Sequence, residues 1–229
     1  MLSAAEWAIV ALTLRVGSVA MLLTLPLAFA LAWLLARGRF PGKTLVDALV
    51  HLPLVLPPVV TGWLLLLLFA PNGPVGGPLS RWFGVTVLFQ WTGAAIASGV
   101  MALPLMVRAM RLSIEAVDRR LESAARTLGA GRWRVFTTIT LPLSIPGILA
   151  GLVLGFARSV GEFGATITFV SNVPGQTQTL PLAIYSALQL PDGDAAVLRL
   201  SIIAVILSLA ALVTSELLAR RSGRGLHVL

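Results

Sequence analysis

A charged pair inside an apolar run is the first feature of this sequence that could do chemistry. Arg158 and Glu162 stand four residues apart in a stretch that otherwise suits hydrocarbon. On a helix that spacing brings the two side chains together. Charge at such depth marks a functional position by default, because burying it is expensive; the pair serves equally as a lock between helices. Thr166, Thr168, Ser171 and Asn172 follow it, and Thr61 stands in an earlier apolar run. Their hydroxyl and amide groups could line a polar path, although Ser and Thr also bond their own helix backbone. Pro57 and Pro58 interrupt the run that holds Thr61. Two prolines remove two backbone donors, which allows a kink beside a pathway or a simple packing feature. Arg15 could attract anions near a mouth, or snorkel. Asp47 and His51 are spaced to interact locally. With no cysteine and only two histidines, His51 and His227, there is no thiolate site and no multi-histidine metal site. No GxxxxGK[ST] phosphate loop occurs, so the chain does not hold ATP in that way. No metal and no cofactor is expected on the chain itself.

The elements that must position these residues follow from composition. Of 229 residues, 57% are hydrophobic and 11% are charged. Ordinary soluble domains have about 45–50% and about 25%, so a soluble enzyme and a disordered regulator are excluded. Five runs are long enough to cross a bilayer, at 7–36, 45–70, 85–110, 143–170 and 195–219. They lack period-2 alternation, so they read as helices and not as barrel strands. The first run is longer than a signal-peptide core and has no cleavage-site pattern, so it reads as a retained span. The net charge of +8 comes from 17 basic and 9 acidic residues. Thirteen of the basic residues fall after the first run, between the third and fourth, and in the tail. Five spans put all three segments on one side, which the positive-inside rule makes cytoplasmic. The basic excess is thus topological, and nucleic acid is not an expected partner. The expected fold is an all-α polytopic membrane protein of five transmembrane helices, N-terminus outside and C-terminus in the cytoplasm. It forms a single domain over 1–229 with one large cytoplasmic loop at 111–142.

That loop is the most informative segment. Leu121, Ala124, Ala125 and Leu128 fall at helical spacing and form one apolar stripe. Glu122 and Arg126 are spaced for an i,i+4 pair in the favourable order. The alanines keep the stripe low enough for close docking, and Gly129 suits a helix end. Arg132, Trp133 and Arg134 follow, then Ile139, Leu141 and Pro142, with Pro142 and Pro146 fitting the first turns of a returning span. Taken alone, the segment is an amphipathic helix on the membrane surface or a docking helix for a partner.

The order Ser123-Ala124-Ala125, Gly129, Ile139, Leu141-Pro142 resembles the EAA loop of ABC importer permeases. That motif reads EAA, three residues, G, nine residues, I, one residue, LP, and every spacing matches. Its Glu position is Ser123 here, with Glu122 one place earlier. The stretches 51–60, 128–136 and 156–166 are similar to the molybdate permease group of these importers. The part from Arg158 to Gly164 also resembles sulfate and tungstate permeases. The resemblance covers nearly the whole chain and implies a type I permease fold in a bacterial inner membrane. It implies a homodimer of this chain, two cytoplasmic ATPase subunits that use ATP and Mg, and an extracytoplasmic molybdate-binding protein. It makes residues 121–142 a coupling segment and the chain itself non-catalytic. A carboxylate beside a dianion's path would repel it, which favours the locking role for Arg158 and Glu162. The alternatives are a sulfate, thiosulfate or tungstate importer, or, in a different class, a secondary anion transporter or channel.

Overall fold

The computed structural model describes residues 3–224, with side chains described through Thr214 and at Leu217; His227 lies outside the described residues. Three long helices form the centre: α1 (Ala4–Arg37), α5 (Trp91–Ala116) and α8 (Leu141–Val160) pack on one another. Between α1 and α5 come α2 (Lys43–Val55), α3 (Pro58–Phe69) and the short outer helix α4 (Gly76–Phe83). The connection from α5 to α8 carries α6 (Arg119–Thr127) and α7 (Arg132–Val135). After α8 come α9 (Gly164–Val170), α10 (Leu180–Leu188) and α11 (Asp194–Arg224), and α11 leans on α8.

Among the described residues, four helices are long and apolar enough to cross a membrane, and the bent pair α2–α3 makes a fifth when it is taken as one broken span. The five-span reading therefore holds, but the span limits differ from the sequence expectation. The run 45–70 is not one helix, because α2 and α3 meet at 114°. Pro57 and Pro58 have no N–H, so the carbonyls of Pro53 and Leu54 lose their helical donors and the chain turns there. The run 143–170 also breaks. Its helix ends at Val160, and α9 begins at Gly164. At the cytoplasmic side α5 continues to Ala116, and the returning helix starts at Arg132 through α7 and a π-helical turn, Phe136–Thr140. The expected loop 111–142 therefore shrinks to residues 117–131 outside the long helices. The short helix α10 covers Leu180–Leu188, ahead of α11.

Side-chain size explains the central packing. Gly147, Gly151 and Gly155 recur every four residues on α8 and are all buried. This small-residue stripe lets α5 approach closely, as membrane helices require when lipid gives no hydrophobic drive to associate. A Cβ at Gly147 would lie 2.2 Å from Ser113 Cβ, and one at Gly155 would lie 2.6 Å from Met21 Sδ. On the facing side α5 buries Met106 and Met110, whose flexible thioethers fill the irregular space. The outer end of α1 is fixed differently. Ser3 and Glu6 form a reciprocal capping box, and Glu6 Oε1 accepts from Arg199 Nε at 2.9 Å, tying α1 to α11.

Gly147→Val should overpack the α5–α8 contact and cost about 1–3 kcal/mol. In detergent the thermal unfolding midpoint should fall by several degrees. Gly161→Ala, where a Cβ meets nothing within 4 Å, should leave it unchanged. Equal midpoints for the two variants would contradict the stripe.

Candidate functional site

The cytoplasmic helix α6 begins at Asp118, whose side chain accepts from Arg120 N at 2.8 Å. It ends in a Schellman turn: Ala130 N donates to Ala125 O and Gly129 N to Arg126 O, both at 3.0 Å. Gly129 sits at φ +87, a left-handed conformation that side chains with a Cβ rarely adopt. The sequence reading of Gly129 as the stop is thus met by its backbone angle.

No residue of α6 is buried, and its apolar stripe faces outwards. Leu121 is 50% exposed and Leu128 88% exposed, which leaves an uncovered apolar edge. The expected Glu122–Arg126 pair does not form. Glu122 Oε1 instead accepts from Arg37 Nη2 and from Thr140 Oγ1, each at 2.8 Å. Both partners of this ion pair are mostly buried, at 14% side-chain exposure each. Glu122 therefore braces α6 against the end of α1 and the π-helical turn, while Ser123, at the motif's Glu position, is exposed. Ile139 and Leu141 are half-buried along the returning helix, and Pro142 stands in the first turn of α8. The helical segment from Arg132 to Val160 thus joins the docking region to the membrane core as one 29-residue rod.

The second constellation lies where the two spans break. A Cβ added to Gly164 would come 2.8 Å from Pro58 Cβ, so the elbow at Pro57-Pro58 and the α8–α9 break are neighbours. One turn on, a Cβ at Gly62 would lie 2.5 Å from Ala165 O, so α3 and α9 cross in backbone contact there. Arg158 Nη1 and Glu162 Oε2 are 2.7 Å apart, and Glu162 Oε1 accepts from Ala165 N at 2.9 Å. Glu162 is thereby both the counter-ion of Arg158 and the acceptor for a free N–H in the first turn of α9. Its side chain is 1% exposed against 28% for Arg158, so the cation and not the carboxylate faces the accessible side.

The polar candidates are distributed differently from one another. Thr61 and Thr166 are buried within the chain, and Thr61 Oγ1 has no hydrogen-bond partner among the described residues. Thr168 donates to Gly164 O at 2.8 Å, back-bonding its own helix. Asn172 Nδ2 donates to Ser186 Oγ at 2.7 Å, which ties the end of α9 to α10. Ser171 is exposed at φ 64, and its carbonyl accepts from Thr177 Oγ1 at 3.0 Å. Pro57 and Pro58 are exposed, with Val59, Val60 and Trp63 beside them. The Arg15 guanidinium lies 3.8 Å over the Trp91 ring. Asp47 does contact His51, and it also takes two bonds from Arg111 Nη1 at 3.1 Å.

Sequence reasoning passed over two features. The Gly147-Gly151-Gly155 stripe was readable as a small-xxx-small repeat. The Arg37–Glu122 contact had no sequence signal, since its partners are 85 residues apart.

For the buried pair, removing Arg158 and Glu162 together should impair transport less than removing either alone, because a single removal strands a buried charge. Uptake assays on the two single variants and the double variant check this. A double variant clearly worse than both singles would contradict the pairing role.

Comparison with known proteins agrees with this geometry. A model of the family described as "Binding-protein-dependent transport system inner membrane component" matches residues 8–224. The chain is 57% identical over 223 residues to the molybdenum transport system permease protein ModB of Escherichia coli strain K12, covering 96% of this chain and 97% of that protein. It is 41% identical over 194 residues to the sulfate transport system permease protein CysT of the same strain, covering 85% of this chain and 69% of that protein. In structure it resembles a chain of a bacterial alginate ABC transporter, with a TM-score of 0.74 at 23% identity, covering 96% of this chain and 80% of that one. That likeness shows the fold. Together with the five-span bundle and the protruding α6, these matches place the chain in the binding-protein-dependent transport system inner membrane component family.

Proposed function

We propose that the chain is the permease subunit of an ATP-driven ABC importer that carries molybdate into the cytoplasm. The observation that carries this reading is α6: an exposed, low-profile helix with a left-handed glycine stop, braced by Glu122 to the membrane helices. Such an element suits a cleft on a cytoplasmic ATPase, and its bracing lets a rigid-body movement pass into the bundle. ATP and Mg are handled by that partner, and the chain itself has no catalytic role. The greater identity to ModB than to CysT, over a larger share of both proteins, supports molybdate over sulfate.

The energetics favour a pump. A dianion entering a negative-inside cell works against about 2.3 kcal/mol per charge per 100 mV, or roughly 4.6 kcal/mol for two charges. Thousandfold accumulation adds about 4.2 kcal/mol. Passive conduction does not supply such a sum.

The pathway lies at the two broken spans. Irregular backbone at membrane depth is tolerated where it is covered by protein or lines a watery cavity. The exposed elbow at Pro57-Pro58 needs such cover. A second copy of this chain, related by a two-fold axis, supplies it and encloses the path between the elbows. An extracytoplasmic binding protein delivers the anion to the outer mouth and sets most of the selectivity, while the pore avoids a tight, trapping site.

Radiolabelled molybdate uptake into vesicles that hold this chain, its ATPase and the binding protein tests the reading. The expected result is ATP-dependent uptake that resists excess sulfate. Uptake lost to sulfate would move the chain to the sulfate group, and uptake independent of ATP would overturn the coupling role. Gly129→Asp should leave membrane insertion intact and abolish uptake. Aspartate is among the residues that visit the left-handed region, so the expected damage is the carboxylate it adds to the docking turn. Normal uptake in that variant would remove α6 from the mechanism.

A further inference from the structure

Two cavities meet at the cytoplasmic end of α1, and their order along the helix matches that of a lipid. The first is an open apolar groove of about 620 Å³ lined by Phe29, Ala30, Trp33 and Leu34 of α1 with Trp133 and Phe136. The second is a polar cavity of about 440 Å³ beside it, reached by Arg37, Arg119, Arg126 and Arg132. Trp33, Arg132 and Phe136 line both.

The depth is right for each half. From Phe29 to Arg37 is about 12 Å along a helix at 1.5 Å per residue, with the arginine end nearer the cytoplasm. The apolar groove therefore lies at acyl-chain depth and the arginine cavity at headgroup depth. Trp33 and Phe136 stand at the junction, with ring centroids 5.0 Å apart at 90°. Tryptophan is enriched at this membrane boundary. The Trp133 ring, 79% exposed, caps the groove 5.8 Å from Phe136.

The charge is unbalanced. The one carboxylate in the polar cavity, Glu122, already accepts from Arg37 and Thr140 through Oε1. Arg119, Arg126 and Arg132 form no ion pair among the described residues. A phosphodiester suits three such donors, since guanidinium forks match phosphate oxygens.

We infer that this double cavity binds one anionic phospholipid of the cytoplasmic leaflet. Its phosphodiester sits among Arg119, Arg126 and Arg132, and an acyl chain lies along Phe29, Leu34 and Phe136. The lipid fills the gap between α1 and the coupling helix and adds to the brace made by Glu122. The inference is independent of which anion the transporter carries.

The test is lipid retention by the full chain purified with its ATPase in neutral detergent, read by native mass spectrometry. Phosphatidylglycerol and phosphatidylcholine are added in equal amounts. The expected result is one phosphatidylglycerol retained per chain, preferred about tenfold or more over phosphatidylcholine. Each basic contact near an anionic headgroup is worth roughly fivefold. Arg126→Gln with Arg132→Gln should lower that retention at least about tenfold, while Arg134→Gln, outside the cavity, should leave it unchanged. Equal retention of the two lipids by the unaltered protein overturns the inference, and so does undiminished retention in the double variant. Displacement of the lipid by millimolar inorganic phosphate or molybdate would make the cavity a free-oxyanion site. Binding seen only when the ATPase is removed would make the arginines a protein contact. The lipid-selectivity arm uses unaltered protein, so the inference stays falsifiable if the double variant does not assemble.

Discussion

A backbone amide in hydrocarbon has no water to bond, and this chain breaks two of its apolar runs, at Pro57-Pro58 and between Val160 and Gly164. Every unsatisfied N–H or C=O there costs several kcal/mol. The rest of the architecture can be understood as the means of covering those breaks. At the α8–α9 break, Glu162 takes a free N–H of α9 and is neutralised by Arg158. At the α2–α3 elbow, Gly164 lets the backbone of α9 press against Pro58, so each break shields the other on one side. The other side of the elbow is uncovered within one chain. The same physics that makes the break costly makes a second copy at that surface sensible.

The long helices hold this arrangement by proximity of backbones and not by bulk. Small residues on α8 meet flexible methionines on α5, and α5 is the most enclosed of the spans. A core of this kind resists deformation, because packed interfaces have discrete arrangements. Movement at the cytoplasmic end is therefore carried as a shift of whole helices. The rod from Arg132 to Val160 begins beside the docking helix and ends at Arg158 and the broken span. The proposed docking surface and the proposed path are thus the two ends of one element.

The cytoplasmic brace also clarifies the departure from the EAA pattern. The acidic residue has moved one place along α6, from the exposed position of Ser123 to Glu122. There it turns inwards to Arg37 and Thr140. In this chain the carboxylate braces α6, and the face proposed for docking is left to leucine, alanine and the glycine turn. That division fits a surface that recognises its cleft mainly by shape.

The sequence by itself determined the membrane class and the five apolar runs, and it marked residues 121–142 as the segment proposed for coupling. These are set by composition and by spacings shorter than one helix, which local physics decides. Gly129 was legible because a left-handed stop admits few other residues, and Arg158–Glu162 because i,i+4 spacing on a helix puts two side chains within reach. Tertiary structure alone decided the rest. The two prolines at 57 and 58 made a break legible, but its angle of 114° and the packing of α9 on α3 belong to the tertiary structure. Glu122 had a suitable local partner in Arg126, yet it bonds Arg37, since a mostly buried carboxylate gains more from an enclosed guanidinium than from an exposed one. The hydroxyls of Thr61, Thr166 and Thr168 read alike in sequence and have different surroundings. Which face of a helix meets a neighbour is settled by packing, and packing is a property of all the helices at once.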